Sequence, residues 1–214
     1  MDAARPRKLL IPRISVKMQI STWENIFTGD LAERFSTLLP WLPSYFLNRT
    51  DRDPSANPLD VYWYYPVAIC DDRYSDDVEP QLNELDEQLQ PIAQLWQIIS
   101  ARLGFPVRLY ECEYGANPFG CEGHPHYDSP REDIRDKHIA VIVYLNSRWD
   151  IAWGGETIVF NEQGDVISAV LPKPGRATVL EGDPYHVARG VSRTCPVARR
   201  VLVFKMWRLD PLTK

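Results

Sequence analysis

Gly123-His124-Pro125-His126-Tyr127-Asp128-Ser129 is the stretch from which the rest of the chain can be read. In an extended segment side chains at i and i+2 leave on one face, so His126 and Asp128 point together into whatever the segment lines. An imidazole and a carboxylate so placed are two ligands of a metal site and ask for a third. His186, in Gly182-Asp183-Pro184-Tyr185-His186, supplies it if a later strand returns to the same place. Taken alone, a His-x-Asp pair is more often an ordinary pair of residues near a turn.

Other marks stand on either side, in a fixed order. Tyr114-Gly115 precedes the stretch and Ala140-Val141-Ile142-Val143-Tyr144-Leu145-Asn146 follows it. Next come Gly154-Gly155-Glu156-Thr157, Pro174-Gly175-Arg176, the Gly182-Asp183 turn before His186, and the basic segment Arg199-Arg200-Val201-Leu202-Val203-Phe204-Lys205. Two histidines and one carboxylate on one face of a metal, with the opposite face open, form the triad of non-haem Fe(II) oxygenases. Over residues 105 to 207 the ordered set resembles the Fe(II)- and 2-oxoglutarate-dependent dioxygenase superfamily, in its prolyl-4-hydroxylase-like branch.

The resemblance implies an enzyme with His126, Asp128 and His186 as iron ligands, 2-oxoglutarate as co-substrate, O2 as oxidant and ascorbate as a stimulant of turnover. It implies hydroxylation of an unactivated C–H bond with release of succinate and CO2; desaturation, ring formation and epimerisation use the same triad. Halogenases of the superfamily lack the carboxylate that is present here as Asp128. The far carboxylate of 2-oxoglutarate needs a bidentate cation, which a guanidinium supplies better than an ammonium. In the family this cation lies about six residues before a Lys, Thr or Trp position on the same strand face, and counting back from Lys205 gives Arg199. Strand alternation puts Arg199, Val201, Val203, Lys205 and Trp207 on one face and Arg200 on the other. Arg200 is the fallback and Arg193 a third choice. Tyr114 falls where relatives often place a tyrosine on 2-oxoglutarate, or is simply a core aromatic. His124 is either a group near the substrate or a residue at the strand entrance, and His138 reads as a surface residue.

Apart from the resemblance, the N-terminal half reads as supporting structure. Residues 13 to 20 alternate weakly and suit an opening strand. Trp23, Ile26, Phe27, Leu31, Phe35, Leu38 and Leu39 recur at three- and four-residue steps, which predicts an amphipathic helix over 22–39, ended by Pro40 and Pro43. Residues 49–58 read as a loop. Val61 to Ile69 is β-branched and aromatic, a strand with an edge position or a bend at Pro66. A second helix is expected over Glu79 to Leu103, kinked or split at Pro91 and ended by Gly104. From Pro106 onward, short apolar runs separated by Gly, Pro and Asn are the pattern of an all-β barrel or sandwich. The expected fold is therefore mainly β with flanking helices (α+β): a double-stranded β-helix, or jelly-roll, with N-terminal helices packed on one face. Residues 1–214 are read as one domain, with 1–104 as helical and strand support and 105–210 as the catalytic core.

A formal net charge of −5 argues against a nucleic-acid-binding role, and no apolar run reaches the length of a membrane span. The basic start leads into too short an apolar run for a signal peptide, so a cytoplasmic address is expected. Cys70, Cys112, Cys121 and Cys195 show no metal-type spacing and are expected as free thiols, and the Asn48-Arg49-Thr50 acceptor as an accident of sequence. The charged segment Ser129 to Lys137 is either a lid over a small zwitterionic substrate or a hydrated loop. Trp149 and Trp153 line the mouth or pack the barrel end. Three functional readings stay open: a small-molecule hydroxylase, a peptidyl (prolyl-type) hydroxylase, and a non-catalytic cupin-like jelly-roll that only binds metal. The sequence leaves the oligomeric state undefined.

Overall fold

The computed structural model describes residues 18–48 and 61–209. Ten strands and three α-helices follow one another as β1 (Gln19–Trp23), α1 (Gly29–Leu38), β2 (Tyr45–Asn48), β3 (Val61–Ile69), α2 (Glu79–Asn83), α3 (Gln90–Leu103), β4 (Val107–Asn117), β5 (His138–Tyr144), β6 (Thr157–Phe160), β7 (Val166–Val170), β8 (Ala177–Glu181), β9 (His186–Ala188) and β10 (Arg199–Arg208). Seven strands form one antiparallel sheet in the order β1-β8-β5-β10-β4-β3-β2, and β7-β6-β9 form a second. This is the expected jelly-roll with helices on one face.

β5 and β10 lie in the middle of the large sheet, which is why their sequences are near-continuous apolar runs: both faces are covered. Leu202, Phe204 and Met206 of β10 turn outward into a core shared with the helices, where Phe204 stacks on Trp96 of α3 at 5.8 Å. Ala140, Ile142, Tyr144, Val159, Leu180 and Val201 turn inward and fill the space between the two sheets. The period of two thus sends one set of β10 side chains to the scaffold and the other to the interior.

The helix expected over 22–39 starts later. Trp23 belongs to β1, paired with Ala177 of β8, and the chain turns through Asn25 and Gly29 at positive φ before α1 begins. Ile26 N donates to Gly175 O at 2.8 Å, so this turn is tied to the barrel and its apolar residues are buried without being helical. The second expected helix is split, as Pro91 requires: α2 ends at Asn83, and α3 starts with Pro91 in its first turn. Gly104 closes α3 at φ 72°. At Pro66 the pairing of β3 with β4 shifts register, a bulge beyond the reach of β2. Residues 13–17 of the weakly alternating segment and the 49–58 loop lie outside the described residues, as do Arg49 and Thr50 of the acceptor triplet. All four cysteines are unpaired thiols. No helix among the described residues is long and apolar enough to cross a membrane.

Candidate metal centre

The stretch 123–129 is not a regular strand. It meets the small sheet through an antiparallel bridge, in which His126 N donates to His186 O (3.0 Å) and His186 N to His126 O (3.1 Å), and through Gly123 N, which donates to Ala188 O (3.0 Å). Gly123 makes the approach possible, since a Cβ there would sit 3.0 Å from Ala188 O. The bridge lays the two imidazoles side by side, centroids 4.6 Å apart.

Each ring is oriented by a carbonyl. His126 Nδ1 lies 2.7 Å from His124 O and His186 Nδ1 2.9 Å from Pro184 O. A carbonyl can only accept, so both Nδ1 atoms carry the proton and both Nε2 atoms keep a lone pair for the interior. Asp128 completes the group, Oδ1 3.8 Å from His126 Nε2 and Oδ2 3.9 Å from His186 Nε2. One ligand atom from each of the three residues falls within 4.8 Å of the others, a donor set of two neutral imidazoles and one carboxylate that suits a divalent iron. Burial opposes charge on Asp128, but the Lys205 ammonium beside it holds its carboxyl well below the ordinary range. Asp183, in the left-handed region at φ 47°, accepts from Asp128 N (2.8 Å) and Ser129 N (2.9 Å) and so fixes the loop that carries the carboxylate. Burial pushes the Asp183 carboxyl up, with Asp128 adding to it.

A cavity of about 100 Å³ runs inward from the three ligands and is lined by Tyr62, Thr157 and Arg199 among others. Arg199 is 2% exposed. Its Nε donates to Gly155 O (2.8 Å) and Nη2 to Thr157 Oγ1 (2.9 Å), and its guanidinium lies 5.3 Å from the Tyr144 ring. Burial pulls its pKa down. A buried guanidinium held by neutral acceptors is arranged to meet an anion entering the cavity. A second, larger cavity of about 570 Å³ opens outward from the triad between Tyr62, Tyr64, Asp71, Arg73, Glu113 and Tyr127.

Arg200 and Tyr114 do not reach this space. Both leave the large sheet on its helical face, where Tyr114 is buried in the outer core and hydrogen-bonded to Arg200. Alternation along β4 and β10 requires this, because Tyr114 has the parity of Cys112 and Ala116. Arg193 is exposed on a turn. His138 is fully buried: its Nε2 meets Tyr110 OH at 2.7 Å, its edge meets Trp207, and burial brings its pKa down to about 4. His124 is exposed and contributes its carbonyl. Residues 132–137 form a 3-10 turn pinned by Arg135, which lies 3.7 Å over the Tyr127 ring and donates to Ser129 O. Trp149 packs against Trp153 and donates to Gly154 O, closing the barrel end. Tyr62, Glu113 and Thr157 went unrecognised in the sequence; the parity of β4 relative to Gly115 was the available signal for Glu113.

Residues 112–207 match the model of the 2OG-Fe(II) oxygenase superfamily. Among curated proteins, no sequence matches. Solved structures with the same fold include a prolyl-4-hydroxylase from Pseudomonas putida, at 21% identity over 89% of this chain and 92% of that one, with a TM-score of 0.53. A 2OG-Fe(II) oxygenase family oxidoreductase from Burkholderia pseudomallei follows at 17% identity over 92% and 86%, TM-score 0.58. HygX from Streptomyces hygroscopicus, solved with nickel and 2-oxoglutarate bound, has 15% identity over 89% and 83%, TM-score 0.57.

Proposed function

We propose, from the match of residues 112–207 to the model of the 2OG-Fe(II) oxygenase superfamily, that this chain hydroxylates a small, amino-acid-like or biosynthetic substrate at an iron held by His126, Asp128 and His186. The family works with Fe(II), 2-oxoglutarate and O2. When bound, these supply an oxidant that takes hydrogen from an unactivated C–H bond, with succinate and CO2 released. The chain's own residues bind, orient and shield. His126 and His186 offer Nε2 lone pairs because His124 O and Pro184 O hold their Nδ1 protons. Arg199 receives the far carboxylate of 2-oxoglutarate at the closed end of the inner cavity, oriented by Gly155 O and Thr157. Tyr144, whose hydroxyl meets Thr157 and Thr178, backs that end with its ring 5.3 Å from the guanidinium.

The observation that carries this reading is the triad on the wall of the inner cavity, with His126 and Asp128 shared by both cavities and a buried guanidinium in the inner one. The outer cavity, walled by Tyr62 and Tyr64 with Asp71, Glu113 and Arg73, carries charge of both signs, as suits an amino-acid-like molecule. A peptidyl hydroxylase is the second reading, favoured by the same cavity being open to solvent along Tyr127 and Pro130. We take the chain as one domain, and the four free thiols support a cytoplasmic address. Succinate formation by Fe(II)-loaded protein tests the assignment. Asp128→Ala is expected to abolish it, and Arg199→Ala to raise the 2-oxoglutarate concentration for half-maximal rate at least tenfold. Turnover unaffected by Asp128→Ala would refute the triad; stimulation by peptides and not by free amino acids would favour the second reading.

A further inference from the structure

Lys205 is an ammonium inside the site. It lies on the inward face of β10 with Arg199, Val201 and Val203, and its side chain is 10% exposed. Three carboxylates surround it: Glu111 at 3.2 Å, Asp128 at 3.3 Å and Glu113 at 3.8 Å. A cross-strand pair with Glu111, its register partner on β4, would suffice to satisfy the ammonium on structural grounds alone. Its reach to Asp128 joins the sheet to a loop that belongs to another part of the chain.

We propose that Lys205 is the positioning residue of Asp128: its ammonium holds one carboxylate oxygen, so that the metal takes the other and two coordination positions are not lost to one ligand. The proposal rests on the iron-site reading above. Asp128 is thereby fixed from three directions, through its backbone N by Asp183, its carbonyl by Arg73 (3.3 Å) and its carboxylate by Lys205. Charge supports the arrangement. Three carboxylates gather about one ammonium in a buried space, and a divalent metal at Asp128 offsets the negative charge there. A register shift in the β4 pairing between Lys205 and Met206 turns Tyr110 and Glu111 both toward the interior, which brings Glu111 under the ammonium. Hydrogen bonds to a ligating carboxylate typically govern metal affinity by ten- to a hundredfold.

The test is Mn(II) binding, followed by the electron paramagnetic resonance of free Mn(II), in wild type, Lys205→Met and Lys205→Arg. Lys205→Met is expected to weaken binding at least tenfold while keeping the wild-type circular dichroism, and Lys205→Arg, which keeps the cation, to recover to within about fivefold. The visible absorption band of the anaerobic Fe(II) and 2-oxoglutarate complex should shift in Lys205→Met, which a merely structural lysine would not cause. If Lys205→Met fails to fold, Glu111→Gln, which keeps the ammonium but removes its cross-strand anchor, must still weaken Mn(II) at least threefold. Unchanged or tighter Mn(II) binding in a folded Lys205→Met, or in Glu111→Gln if it alone is folded, overturns the role of Lys205 and leaves the iron-site reading intact. Failure of the wild type to bind Mn(II) at all overturns both.

Discussion

His138 is neutral in the folded protein down to about pH 4, whereas in the unfolded chain it takes a proton near its ordinary value of 6.5. The sign follows: above pH 6.5 both states are neutral and the residue adds nothing, and as pH falls from 6.5 toward 4 only the unfolded state gains a proton, so stability is lost. Denaturant unfolding at pH 7 and pH 4.5 should differ by roughly 2–3 kcal/mol on this account, and His138→Asn should shrink that difference by a similar amount. The sequence offered no hint of this burial, because the rings that enclose His138, Tyr110 and Trp207, come from β4 and β10 and are distant in the chain. Arg199 was legible for the opposite reason. Strand parity is a local property, and one fixed landmark, Lys205, was enough to assign its face. The same rule put Arg200 on the opposite face, although it stays a fallback in the sequence, and phasing β4 on Gly115 puts Tyr114 on that face too.

The turn Gly154-Gly155 ahead of β6 shows how an element sets a site. Gly155 has φ 76°, and a Cβ there would lie 3.1 Å from Trp149 and Val191 and 3.4 Å from Arg199 Cδ, while its carbonyl orients Arg199 Nε. Gly155→Ala is expected to cost about 1–3 kcal/mol and to raise the 2-oxoglutarate requirement severalfold by displacing the guanidinium. Urea unfolding and a 2-oxoglutarate titration of succinate formation measure the two effects separately. At this scale the sequence was legible wherever an element has a local signature: β3 stands where its β-branched and aromatic content put it, α3 within the helix that apolar spacing predicts, and β5 and β10 on the apolar segments of the ordered marks. It misled where a tertiary bond overrode the period. The apolar steps from Trp23 to Phe27 fit a helix, but pairing with β8 and the bond to Gly175 pull them into a strand and a turn.

For the molecule as a whole, the three ligands fasten the loop 123–129 to the start of β9, two segments joined otherwise by the His126–His186 bridge, the Gly123 N bond to Ala188 O and the Asp183 carboxylate. Metal bound to the folded state alone must therefore stabilise the entire fold. At a hundredfold excess over Kd the gain is about 2.7 kcal/mol, a rise of roughly 5–11 °C in Tm, reversed by a chelator and absent in Asp128→Ala. Differential scanning calorimetry with Mn(II) would read it. Sequence patterning conveyed the architecture at this level because a jelly-roll repeats one simple unit, and it could not convey the two cavities, which exist only after ten strands have met. The position of β10 has a consequence for how such a chain is made. It is the last of the described strands, yet it lies between β4 and β5 at the centre of the large sheet, and it carries both Arg199 and Lys205. A ribosome adding about 5–20 residues per second leaves β4 and β5 exposed edge to edge for on the order of ten seconds before their shared partner emerges. The nascent protein is thus an open sheet with a gap in its middle, a template for the wrong strand from a neighbour, and its yield in a cell should depend on chaperones that occupy that gap until synthesis is complete.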